Sequence, residues 1–143
     1  MRKDIGDQIV KRRDGFYAYQ LAVVLDDIEQ QITHVIRGRD LLEVTAQQIF
    51  FFEMLNTTPP EFGHLPLALM PNKQKLSKQN LTPALDNQKA NHNLWQALVF
   101  LGQNPPIELE SDSIANLLTW ATANWQLKNV PKLDQLIFSI KEE

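Results

Sequence analysis

Between Thr33 and Met70 the chain places one helical period between two apolar, strand-like runs, and that order commits it to an α/β arrangement. The first run, Thr33 to Ile36, is short, rich in β-branched residues and closed by Gly38, as a buried strand would be. Thr45-Ala-Gln-Gln48 reads as a capping box that opens a helix through Leu55. Ile49, Phe52 and Leu55 recur at helical spacing and form its core face. Pro59-Pro60 ends that pattern, and His64-Leu-Pro-Leu-Ala-Leu-Met70 is the next strand. Upstream, Gln8 to Arg13 and Phe16 to Val24 are two further strand-like runs joined by Asp14-Gly15. Asp-Gly is a strong hairpin signal because a type I′ turn needs positive φ at both central residues.

Beyond the strands the character changes to helical. Asn91 to Leu101 carries Leu94, Trp95, Leu98 and Leu101 on one face and is closed by Gly102. Pro105-Pro106 starts a loop, and Ser113 to Leu127 is a second helix with Ile114, Leu117, Leu118, Ala121 and Trp125 inward. The tryptophans of this helix read as core rather than as stacking platforms for bases. The expected organisation is a sheet-containing segment over residues 1–80 and a small helical subdomain over residues 81–143.

Composition narrows the class. With 143 residues, 43% hydrophobic and 22% charged, the chain is long enough for one ordinary globular core. No apolar run reaches the length of a membrane span, and Met-Arg-Lys-Asp-Ile-Gly lacks the apolar stretch of a signal peptide. The absence of cysteine excludes disulfides and cysteine-ligated zinc, and fits a reducing cytoplasm. A net charge of -3 gives no bulk attraction for a polyanion, so RNA contacts must come from local clusters. Lys11-Arg12-Arg13 is one such cluster and Lys73, Lys75 and Lys78 another; for the first, a solvated hairpin arm is the alternative.

The run to Met70 feeds Lys75-Leu-Ser-Lys-Gln79. Lysine ammonium groups suit adenylyl or phosphoryl transfer, where negative charge develops and a positioned cation stabilises it. A serine adds a hydroxyl, and a loop allows the cations to close over a nucleotide. Taken alone, the pentapeptide reads as a solvated polar loop, and the rest of the chain moves that balance. His34 and His64 sit at strand edges and read as hydrogen-bonded structural histidines. Asp26-Asp27 could suggest metal or general-base work, but on an extended chain the two carboxylates would point to opposite faces, so they read as capping or a single contact.

Four ordered motifs carry a resemblance. They are Tyr17-Ala-Tyr-Gln-Leu-Ala-Val-Val-Leu-Asp-Asp27, Ile32-Thr-His-Val-Ile-Arg-Gly-Arg-Asp-Leu-Leu42, Thr45-Ala-Gln-Gln48, and His64-Leu-Pro-Leu67 followed by the lysine loop. From about Gly6 to Pro131 this succession resembles the carboxyl-terminal half of the catalytic core of glutamyl/glutaminyl-type class I aminoacyl-tRNA synthetases. Within that family it is most similar to the short branch that attaches glutamate to queuosine in tRNA(Asp). Two details point there: Val23 stands where conventional members usually carry asparagine, and the lysine loop ends in Gln79. The short tail after Asn124-Trp-Gln-Leu127 and Val130-Pro131 also matches that branch.

The resemblance implies the second half of a Rossmann-like nucleotide-binding core, ATP with its usual magnesium counter-ion, and glutamate and tRNA(Asp) as partners. It implies that Lys78 is the catalytic cation and that Lys75, Leu76, Ser77, Lys78 and Gln79 form the ATP loop. It makes Tyr19 a contact to the substrate glutamate and Arg37 the partner of a glutamate carboxylate. The chemistry agrees, since a guanidinium meets a carboxylate with a two-pronged fork and lysine does not. A structural ion pair with Asp27 or Asp40 is the alternative for Arg37. The family also places a HIGH-type ATP motif, and often a cysteine-bound zinc, in an earlier segment. No His-x-Gly-His occurs in these residues, so the chain is expected to be inactive alone and to self-associate over the face that the other half would cover. A piece of a conventional glutamyl-tRNA synthetase, or a non-catalytic remnant that binds RNA or protein, are the other readings.

Overall fold

The computed structural model describes residues 6–77 and 84–138. The chain divides into two compact units, Met1–Leu65 and Pro66–Glu143. In the first unit the elements run α1 (Tyr19–Glu29), β1 (His34–Gly38), a 3-10 turn (Arg39–Leu41), α2 (Leu42–Met54) and β2 (Glu61–Leu65). In the second they run β3 (Leu67–Leu69), α3 (Ala90–Phe100), α4 (Ile114–Asn124) and β4 (Gln135–Ile137), with short 3-10 turns between them.

The first unit is a strand–helix–strand crossover. Strands β1 and β2 pair in parallel, Val35 opposite Phe62, Ile36 opposite Gly63 and Arg37 opposite His64. Directly opposed residues share a face, and faces alternate along a strand. Val35, Phe62, Arg37 and His64 therefore lie on one side, and Ile36 and Gly63 on the other. Phe62 packs on the core made by Val24 of α1 with Phe51 and Phe52 of α2. On the far face Ile36 leans over Gly63, where a Cβ would stand 2.6 Å from its Cδ1, and Ile36 remains 63% exposed. A parallel strand pair is normally covered on both faces, and among the described residues of this unit no helix packs on that second face.

In the second unit Trp95 and Leu98 of α3 bury against Leu117 of α4, with Leu94, Leu109 and Ala121 around them. The Trp95 indole donates its hydrogen to the Pro106 carbonyl at 3.0 Å, which satisfies its one polar group. Strands β3 and β4 pair in parallel, Leu67 opposite Gln135 and Leu69 opposite Ile137.

Several sequence expectations are corrected. The Asp14-Gly15 turn does form a short hairpin, with Lys11 bridged antiparallel to Tyr17 and Gly15 at φ +90°. The second arm stops there, however, and Tyr19 opens a helix where a strand through Val24 was expected. Val24 of that helix is fully buried, so its β-branched run serves a helix–helix core. Asp26 and Asp27 consequently lie on α1, one exposed and one half-buried. Thr45 is not a cap: α2 begins at Leu42, because the 3-10 turn delivers the chain into the helix without an extended capping residue. The run from His64 to Met70 is two strands, divided at Pro66, that belong to different sheets. Leu55, Ile114, Leu118 and Trp125 are each more than 40% exposed rather than inward. Helix α4 ends at Asn124, short of Leu127.

Candidate active site

The polar cluster of the first unit centres on Arg37, the fourth residue of β1, close to the carboxyl end of the strand. Ligands of α/β sheets gather at that end. The register sets His64 directly beside Arg37. The 3-10 turn and the first turn of α2 then bring Thr45 back against both. Arg37 Nη2 donates to Thr45 Oγ1 at 2.7 Å, and Arg37 Nε donates toward His64 Nε2 at 3.4 Å. Thr45 Oγ1 and His64 Nε2 lie 2.9 Å apart, and Thr45 Oγ1 is 3.0 Å from the Leu41 carbonyl. The single hydroxyl hydrogen serves one of these two acceptors at a time. The guanidinium also stacks on Phe62, 4.8 Å from the ring centroid.

Burial tunes the charges. It draws the Arg37 guanidinium below its ordinary value, opposed by the Asp27 carboxylate and by Tyr19. Arginine nonetheless stays charged at any physiological pH. Burial raises the Asp27 carboxyl, against the pull of Arg37. It lowers His64, and the neighbouring Arg37 and Arg39 add to the effect, so a neutral imidazole is favoured beside the guanidinium. The arrangement is a fixed cation with an aromatic floor, suited to receiving a carboxylate.

Tyr19 and Arg37, both singled out from sequence, fall in this one unit, and Tyr19 is within electrostatic reach of the guanidinium. Tyr19 is 73% exposed, at the first turn of α1 rather than on a strand. Lys75, Leu76 and Ser77 belong to the second unit. There the chain folds back after β3: Met70 accepts from Lys73, Lys75 bridges antiparallel to Leu69, and Leu76 N donates to the Ala68 carbonyl at 2.9 Å. Lys73 adopts φ 65°, a left-handed turn position. Lys78 and Gln79 lie outside the described residues. The described part of the stretch carries two exposed ammonium groups and a serine hydroxyl, chemistry that suits a phosphate chain.

Sequence reasoning missed Thr45 and Phe62 as companions of Arg37. It also missed Gln48, 4% exposed on α2, whose amide donates to Gln20 Oε1 at 2.7 Å. Phe62-x-His64 and Val35-x-Arg37 both show the two-residue period of a strand face, and that was the available signal. Among the described residues no group of three histidine or acidic side chains is placed to hold a metal ion, and no helix is long and apolar enough to cross a membrane.

The parallel strand–helix–strand unit fits a partial α/β catalytic fragment, and the comparisons say of which family. The family model for the catalytic domain of class I tRNA synthetases (E and Q) matches residues 1–101, and the chain belongs to that family. Among its relatives, a protein of Thiobacillus denitrificans named Glutamyl-Q tRNA(Asp) synthetase is 50% identical over 92% of this chain. One of the same name from Colwellia psychrerythraea is also 50% identical, over 88% of the chain. The chain spans only 44% and 42% of those two proteins. Among solved structures, a glutamate tRNA ligase of Elizabethkingia meningosepticum, determined in complex with its amino acid, aligns with 93% of this chain and 30% of its own. The TM-score is 0.68 at 28% identity. A Glutamate-tRNA Synthetase from Elizabethkingia anophelis aligns equally well.

Proposed function

We propose that this chain supplies the glutamate-recognising part, and one ATP-facing loop, of a ligase that activates glutamate with ATP and transfers it to queuosine in tRNA(Asp). The observation that carries the reading is Arg37, a partly buried guanidinium held at the carboxyl end of β1 by Thr45 and stacked on Phe62. A bidentate fork of this kind selects a carboxylate over a neutral side chain. Tyr19 contributes an exposed hydroxyl within electrostatic reach of that guanidinium. Lys78 is the cation that stabilises charge developing on ATP, with Lys75, Leu76, Ser77 and Gln79 shaping its loop. The names of the 50%-identical relatives support the queuosine branch. Val23, in place of the usual asparagine, supports it too.

The test joins this chain to the part of the Thiobacillus denitrificans relative that it does not match, and follows labelled glutamate. Label should enter tRNA(Asp) that contains queuosine and not tRNA(Asp) that lacks it. Lys78→Ala should reduce pyrophosphate exchange into ATP by orders of magnitude in a folded protein. Charging of tRNA(Glu) instead would support a conventional glutamyl-tRNA synthetase. The solved glutamate-tRNA ligases favour that second reading on fold, at much lower identity.

A further inference from the structure

The two edges of the Arg37 guanidinium are not equivalent in this fold. One edge consists of Nε and one Nη2 hydrogen, and the other of Nη1 and the second Nη2 hydrogen. Thr45 Oγ1 takes Nη2 at 2.7 Å, His64 Nε2 faces Nε at 3.4 Å, and those two acceptors are themselves 2.9 Å apart. They stand where the two oxygens of a carboxylate would stand in a fork-to-fork pair. Thr45 is 7% exposed, and its one hydroxyl hydrogen goes either to His64 Nε2 at 2.9 Å or to the Leu41 carbonyl at 3.0 Å, so the side chain is held in place in both cases. The guanidinium carbon also lies over the Phe62 ring, 4.8 Å from its centroid.

We propose that Thr45 and His64 are positioning residues: together they occupy the Nε/Nη2 edge of Arg37, so that a substrate carboxylate is received only on the Nη1/Nη2 edge. The inference rests on the assignment of Arg37 to the substrate carboxylate. It adds which edge is presented and what holds it. Substrate then meets an arginine whose rotamers are already restricted, and less ordering entropy is lost on binding. Lysine at this position has no second edge to anchor. The requirement also explains why a histidine stands in register beside the arginine. It must be an acceptor at Nε2, and a protonated ring there is disfavoured first by burial and then by the charges of Arg37 and Arg39.

The experiment uses the 143-residue chain with isotopically labelled arginine, observing the Nε and Nη signals of Arg37 by NMR. In the unaltered chain the Arg37 Nε–H should exchange slowly with solvent, and Thr45→Val or His64→Phe should speed that exchange at least tenfold. Thr45→Ser and His64→Gln, which keep an acceptor, should restore the slow rate. Added glutamate should shift the Nη signals and leave Nε nearly unmoved. Equal exchange rates in Thr45→Val, His64→Phe and the unaltered chain, with folded spectra throughout, would overturn the inference and leave the carboxylate assignment standing. A glutamate response centred on Nε would also overturn it. If glutamate moves no Arg37 signal in the unaltered chain while the exchange rates respond as expected, the carboxylate assignment itself has failed, and the positioning role falls with it.

Discussion

At the scale of single residues, Arg37 shows why charge alone does not define this site. Its guanidinium is stacked, bonded on one side and partly desolvated, and each of those relations depends on a planar fork. In a protein completed as described above, Arg37→Lys should raise the KM for glutamate at least tenfold and leave the KM for ATP within about twofold. Steady-state kinetics with each substrate varied in turn decide it, and equal effects on both would make Arg37 a structural residue. His64 supplies a second prediction at this scale. Its folded pKa lies below the ordinary 6.5, so between those two values the unfolded chain binds the proton and the folded chain does not. Stability is therefore full above about pH 6.5 and falls as pH drops toward the folded value. Asp27, raised from 3.8, acts with the opposite sign in a window that opens at 3.8: its contribution is lost as pH rises through the folded value. Melting temperatures from pH 5 to 8 should fall toward acid, and the slope should shrink in His64→Gln. Identical curves for the two proteins would show that His64 is not the group responsible.

At the scale of elements, the ends of helices decide more than their apolar faces. Helix α3 closes on Gly102 at φ +72°, and a Cβ there would lie 2.3 Å from the Asn129 carbonyl oxygen. Backbone strain and contact act together at this position, because the left-handed region costs an L-residue about 1–2 kcal/mol before any clash is counted. Gly102→Ala should destabilise the chain by roughly 2 kcal/mol or more in urea unfolding. Gly63→Ala makes the contrast: the atom in its way is the far end of the Ile36 side chain, which can move, so its cost should be clearly smaller. Equal losses for the two variants would mean that the packed carbonyl and the positive φ do not govern Gly102. The closing role of Gly102 was legible in the sequence, since a glycine after a periodic apolar face ends helices. Thr45-Ala-Gln-Gln48 was not legible, because the motif of a capping box has the same letters when the helix has already begun three residues earlier.

For the molecule as a whole, the first unit contains a parallel strand pair with one face uncovered, and the chain spans less than half of its 50%-identical relatives. Adenylation depends on aligning ATP with the amino acid, and such alignment is worth roughly 7–11 kcal/mol of barrier. On the proposed reading the lysine loop shares that task with a HIGH-type motif, and no such motif stands in these residues. The 143-residue chain by itself should therefore catalyse no exchange of pyrophosphate into ATP, with glutamate and with or without tRNA(Asp). Robust exchange by a pure sample would require a catalytic site elsewhere in the chain.

The sequence by itself determined the α/β class, the family and the hairpin at Asp14-Gly15, and it singled out Tyr19 and Arg37, which fall in one unit within electrostatic reach of each other. Those features are local: a turn needs its own glycine, and an ordered set of short motifs is written directly in the letters. Only the tertiary structure decided that Tyr19 starts a helix, that the run from His64 to Met70 is split between two sheets, and that Thr45 and Phe62 surround Arg37. These depend on strand register and on a crossover of more than twenty residues between His64 and Arg37. In β-branched and aromatic segments, burial against a partner outweighs local preference, and the partner is not adjacent in sequence.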